Sequence, residues 1–188
     1  MYTLLATGTV GYTAGPDFVI LRSQEVFPSP SAVHFWLELR NPLEKGCSPI
    51  VLDPIVASHP PDVTGPDARR PVTVITLAIR DARGMVVDPR HKIDATPTAL
   101  SVHELMVLGC GQSYGWDGWL ARVPWSYELL PGRYAARARV VIPLAAFFRT
   151  RETVRRELET LWGPWLRPFV RDVQVESQEV TFEVARAN

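Results

Sequence analysis

Apolar side chains recur at every second position through much of this chain, and that period limits what it can fold into. In residues 33–40, Val33, Phe35, Leu37 and Leu39 alternate with His34, Trp36, Glu38 and Arg40. A strand turns successive side chains to opposite faces, so such a segment buries one face and leaves the other to water. The pattern is clearest at residues 133–142, where Tyr134, Ala136, Ala138, Val140 and Ile142 share a face. Arg133, Ala135, Arg137, Arg139 and Val141 take the other face, and Pro131-Gly132 supplies the turn that launches the strand. At residues 170–185, Val180, Phe182 and Val184 point inward, with a break expected near Ser177. Residues 72–80 and 85–87 read as a hairpin closed by Asp81-Ala82-Arg83-Gly84. Apolar segments at 49–57 and 99–108 read as further strands, and the Pro-, Asp- and Gly-rich residues 58–71 read as a long loop.

One segment breaks the alternation. Val154, Leu158, Leu161 and Trp162 fall at helical spacing, Glu152 sits in the first turn, and Thr150 can cap it. Gly163-Pro164 ends the helix. The expected fold is therefore mainly β: an antiparallel β-sandwich with one amphipathic helix before the last strand, in an insertion of about residues 143–165. Residues 1–188 are expected to form a single domain.

Composition narrows the function classes. Twenty basic residues balance twenty acidic ones, so the basic excess typical of nucleic-acid binders is missing. No apolar run reaches the ~18 residues of a bilayer-spanning helix, so no membrane insertion is expected. The first ten residues show no basic segment followed by an apolar core, which points to the cytoplasm. Arginine outnumbers lysine heavily (only Lys45 and Lys92), a bias that, with the many Ala and Pro, suggests a GC-rich bacterial genome. With no export signal Cys47 and Cys110 are expected as free thiols, and in an oxidising compartment the two could pair. His34, His59, His91 and His103 are scattered, so neither a metal nor a cofactor is expected.

The stretch Leu130-Pro131-Gly132-Arg133-Tyr134-Ala135-Ala136-Arg137-Ala138 resembles the penultimate strand of bacterial immunoglobulin-like and fibronectin-III-like domains. Ser177, Val180, Phe182 and Val184 resemble the closing strand of that family, and Phe35, Leu37, Leu39 and Asn41 an early one. The resemblance implies a sandwich scaffold for binding or assembly, with the Tyr134 hydroxyl bonded back to the chain in a tyrosine corner. It carries no functional residues across. The family's Cys–Trp–Cys order is missing, since no Trp lies between Cys47 and Cys110, and the helix is an addition.

Three surfaces compete as functional candidates. Tyr114, Trp116, Trp119, Trp125 and Tyr127 crowd a glycine-rich stretch; such rings fill a core, anchor a protein interface or, with Asp117, hold a sugar ring. Trp162, Trp165 and Phe169 either clamp the helix to the sheet or extend an exposed interface. Arg133, Arg137, Arg139, Arg149, Arg151, Arg155 and Arg156 make a basic stretch that could receive an acidic partner, although Glu152, Glu157 and Glu159 balance it nearby.

Two catalytic motifs are incomplete. Gly111-Gln112-Ser113-Tyr114-Gly115 matches the G-x-S-x-G pattern of serine hydrolases, but no helix can follow Ser113 and every histidine precedes it. Cys110 between two glycines would need a base, and an extended strand would hold His103 roughly 20 Å away. The reading favoured by the sequence is a non-enzymatic module that binds another protein through Tyr114, Trp116, Trp119, Trp125, Tyr127 and Trp165. The alternatives are a carbohydrate-binding module, which would call for secretion and a Cys47–Cys110 bridge, and an enzyme using Cys110 or Ser113.

Overall fold

A computed structural model describes residues 12–13, 18–57, 71–90, 102–115, 127–149 and 151–186. In chain order its strands are β1 (Tyr12–Thr13), β2 (Val19–Ser23), β3 (Val26–Phe27), β4 (Phe35–Arg40), β5 (Ile50–Leu52), β6 (Val56–Ala57) and β7 (Thr73–Asp81). They continue with β8 (Val86–Val87), β9 (Met106–Leu108), β10 (Ser113–Gly115), β11 (Gly132–Pro143), β12 (Asp172–Glu176) and β13 (Val180–Val184). Helices α1 (Leu144–Arg149) and α2 (Glu152–Trp162) lie between β11 and β12. The described residues are thus mainly β.

β11 organises the largest sheet because its inward positions bury almost completely: Ala138, Val140 and Ile142 are each 0% exposed. One edge of β11 pairs with β7, from Tyr134 opposite Asp81 to Val141 opposite Val74. Its other edge pairs with β13 in its first half and β12 in its second. The break between those partners falls at Ser177, as the sequence suggested. There the Ser177 hydroxyl accepts from Ala138 N–H at 2.9 Å and donates to the Gln178 carbonyl at 2.7 Å. A buried polar side chain thereby replaces the ladder bonds that the irregularity removes. At the edge of this sheet, the hairpin between β7 and β8 turns at Gly84, whose φ of 78° suits a residue with no Cβ. Asp81 Oδ1 accepts from Arg83 and Met85 N–H to hold that turn.

The second sheet is β10-β4-β2, all antiparallel, and a third pairs β5 with β9. Phe35 of β4 meets Phe182 of β13 edge to face, ring centroids 5.3 Å apart, and Phe182 stacks on Tyr134 at 5.4 Å. The inward faces of the two larger sheets therefore share one core, with Phe27, Phe35, Leu37, Ile79 and Ile142 nearly sealed from water. Burying each such side chain contributes about 1.5–3 kcal/mol.

Several expectations need correction. The pairing is not purely antiparallel: β1 with β12, β3 with β13 and β6 with β7 run parallel. These are short strands at sheet edges, which alternation alone cannot orient. The apolar segment 49–57 is not one strand, because it divides at Asp53-Pro54 and sends β5 and β6 to different sheets. Pro54 has no N–H to give a ladder, and Asp53 Oδ1 takes the Ile55 N–H at 3.0 Å. Within 99–108 only β9 is extended; Val102–Glu104 forms a 3-10 turn, and residues 99–101 lie outside the described set.

The helix is two helices rather than one. α1 follows β11 without a break and buries Leu144, Phe147 and Phe148. Thr150, expected as the cap, lies outside the described residues, and Arg151 stands at the N-cap of α2 with no side-chain capping bond.

The cysteines are not free thiols. Cys47 and Cys110 form a disulfide with Cα atoms 6.0 Å apart. Chain topology brings them together: Asn41, at the end of β4, donates through Nδ2 to the carbonyls of Ser48 and Leu108. Its backbone exchanges bonds with Gly111 and Gln112. The turn bearing Cys47 is thereby laid against the turn bearing Cys110.

Candidate functional site

The chain between β11 and β12 leaves the sheet and carries the most exposed aromatic side chain among the described residues, Trp165, at 60%. Local chemistry fixes this insert. Asp172, the first residue of β12, accepts through Oδ1 from Ala146 N–H at 3.0 Å, satisfying a donor in the first turn of α1. Leu144, Phe147 and Phe148 then point α1 into the core. α2 is tied along its own surface. Arg155 donates to Glu152 Oε1 at 2.6 Å, and Arg156 at 3.2 Å. Chiefly the hydrogen bond from Arg155 holds the Glu152 carboxyl below the usual carboxylate range. Only Leu158 of α2 is fully buried, while Leu161 is 48% exposed.

Gly163 ends α2 with φ of 80°, and a 3-10 turn, Pro164–Phe169, follows. A Cβ at Gly163 would sit 3.0 Å from Trp165 Cδ1, so the indole lies directly over the glycine. The Phe169 ring meets Trp165 edge to face at 6.3 Å. The indole is therefore propped from two sides while most of it faces water.

The same insert holds an open groove of about 200 Å³ between α1, α2 and the 3-10 turn. Ala145, Phe148, Leu158 and Val170 give it apolar walls, and Arg149, Arg155, Arg167 and Glu159 supply its charged groups. Arg149 approaches Asp172 at 4.0 Å and Arg167 approaches Glu159 at 3.4 Å. The Nε of Arg155 is shielded from solvent without an acceptor. The groove can therefore take an apolar group and a polar one together.

The other residues singled out in the sequence separate into different roles. Tyr127 is largely buried; its hydroxyl donates to the Leu77 carbonyl at 2.6 Å, and burial pushes its pKa up to about 12. Tyr114 is half-buried against the core on β10, opposite Leu39. Both rings serve packing. Trp116, Trp119 and Trp125 lie outside the described residues, as do His59 and His91.

Ser113 sits inside the β10 ladder opposite Arg40 rather than on a strand-to-helix turn. Its hydroxyl bonds Glu38. Partial burial opposes ionisation of Glu38, but Ser113, Arg40 and Arg22 together hold its carboxyl below the ordinary value. Cys110 is spent in the disulfide. Among the described residues no group of three or more His, Cys, Asp and Glu could hold a metal ion, and no helix is long and apolar enough to cross a membrane.

Sequence reasoning reached Trp165 but missed the groove on the same insert. Phe148 and Arg167 stand 19 positions apart, and only the two-helix turn brings them together. Trp36, 39% exposed on the outer face of β4, is not among the candidates named from the sequence. The strict alternation of residues 33–40 already placed that ring outward. No family model, no curated protein and no solved structure matches this chain.

Proposed function

We propose that this protein is a non-enzymatic binding module that holds another protein through its helical insert, carried on an immunoglobulin-like β-sandwich. The exposure of Trp165 carries the reading. A tryptophan left largely in water, yet buttressed by Gly163 and Phe169, is arranged as a rigid anchor, and such rings dominate the energetics of protein contacts. Exposed Leu161, four residues earlier, and the groove on the same insert add to it.

Three features support the immunoglobulin-like arrangement. β2 pairs with β4, and β3, immediately after it, crosses to pair parallel with β13. β11 lies between β7 and β13. The Tyr134 hydroxyl donates to the Leu130 carbonyl at 2.7 Å and accepts from Leu130 N–H at 3.0 Å, the geometry of a tyrosine corner. The Cys47–Cys110 bridge supports work in an oxidising compartment rather than the cytoplasm.

Affinity capture from the native host tests the contact surface, using the wild-type chain beside Trp165→Ala and Leu161→Ser. A discrete protein retained by the wild type and lost by both variants is the expected result. Equal retention by all three would remove the insert from the function.

A second reading, glycan binding, is favoured by the disulfide and by Trp36, which is exposed on the same strand face as Glu38 and Arg40. A glycan array probed with wild type and Trp36→Ala decides it: signals that vanish in the variant support it, and a blank array excludes it.

A further inference from the structure

The groove between α1, α2 and the 3-10 turn holds two polar atoms with incomplete partners, and they point to a ligand class. Arg155 and Glu159 stand four residues apart on α2, so their side chains share one helix face a turn apart. Arg155 places Nη2 on Glu152 but leaves Nε without an acceptor and out of solvent. Glu159 Oε1 is likewise out of solvent; Arg167 Nε lies 3.4 Å away, yet no donor is aligned on it. A donor without an acceptor and a carboxylate oxygen held only by a loose ion pair therefore lie on one face of α2, in a groove with apolar walls. A purely apolar ligand would leave both unsatisfied, which is costly in a shielded place. A simple anion would satisfy Arg155 and meet repulsion from the Glu159 carboxylate. A peptide group offers a carbonyl for Arg155 and an N–H for Glu159 together.

Charge adds a second criterion. The lining has Arg149, Arg155 and Arg167 against Glu159 alone, a balance that favours acidic neighbours in the ligand. Arg155 already pairs with Glu152 at 2.5 Å, so the acidic neighbours are for Arg149 and Arg167 to meet. Arg149 and Arg167 are each 63% exposed, and their contacts at 4.0 and 3.4 Å are the loose surface kind that exchanges easily.

We infer that this groove takes an acidic segment of a partner protein, with one apolar side chain on the Phe148 and Leu158 wall and the adjoining peptide group spanning Arg155 and Glu159. The inference rests on the reading of the insert as a contact surface and adds the chemistry of what it contacts.

A random heptapeptide phage library panned on the full, disulfide-intact chain tests it. The expected consensus is one apolar residue flanked by Asp or Glu. A synthetic peptide of that consensus, followed by fluorescence anisotropy, should lose about tenfold in affinity with Arg155→Gln. Arg155→Lys, which keeps the charge but not the planar Nε–H donor, should lose a similar amount. Arg149→Gln, away from the α2 pairings, should weaken binding about threefold and serves if the position-155 variants fail to fold. No enrichment, a basic or purely polar consensus, or affinity indifferent to positions 149 and 155 would overturn the inference. Binding indifferent to Arg155 but abolished by Trp165→Ala would overturn the groove assignment alone and leave the insert as the contact surface.

Discussion

Opening the Cys47–Cys110 bridge is the perturbation with the most calculable outcome. The bridge spans 63 residues. In the chain-entropy model, closing a loop of that size restricts the unfolded chain enough to stabilise the fold by about 4 kcal/mol. Unfolding entropy near 2.1 cal/mol/K per residue gives about 0.4 kcal/mol/K for 188 residues, so the loss corresponds to about 10 °C in Tm. The assay is thermal unfolding of Cys47→Ser/Cys110→Ser beside the wild type, oxidised and fully reduced. The double variant and the reduced wild type should melt together, about 10 °C below the oxidised protein, because the effect belongs to the unfolded chain rather than to the serine side chains. Thiol titration of the denatured, unreduced wild type should read none. Two titrating thiols, or a double variant melting within 2 °C of the oxidised protein, would refute the reasoning.

Other outcomes follow from single groups. Tyr134→Phe removes the hydroxyl that both donates to and accepts from Leu130, and should cost about 1–2 kcal/mol in urea unfolding with little change in the m-value. Tyr127 is disfavoured as a phenolate in the fold, so the folded chain keeps that proton to higher pH than the unfolded one. Its contribution is complete below pH 10 and is lost between pH 10 and about 12, by about 3 kcal/mol in total. Alkaline unfolding curves should therefore fall less steeply in Tyr127→Phe than in the wild type. Gly163→Ala combines a positive φ with a Cβ 3.0 Å from the Trp165 ring, and should cost about 1–2 kcal/mol while changing the near-ultraviolet signal of the indole. Unchanged stability and spectrum would mean that the ring does not rest on the glycine.

What could be read in the sequence depended on how local its physical cause was. β11 was legible almost residue by residue, because a Pro-Gly turn launches it and each side chain reports its own face. The Ser177 break was legible for the same reason. α1 was not: Leu144–Arg149 is six residues long, too short for helical periodicity to show, and its apolar run continues that of β11. The division of residues 49–57 turns on Pro54, which in a short apolar run is only an ambiguous stop. The sequence offered the Cys47–Cys110 pair without deciding it, because their approach depends on the two distant turns that Asn41 bonds in the fold. Likewise Trp165 could be named as a candidate from its type, but the groove on the same insert could not. Its walls come from α1, α2 and the turn after them, and a reading of one helix contains no such space.

The proposal that the insert is a contact surface is tested most directly by site-specific photo-cross-linking in the native host. Benzoylphenylalanine would replace Trp165 in one chain and Met85, 66% exposed on the hairpin between β7 and β8, in another. A discrete adduct from position 165, absent from position 85, is the predicted result. No adduct at 165, or the same adducts from both positions, would contradict it.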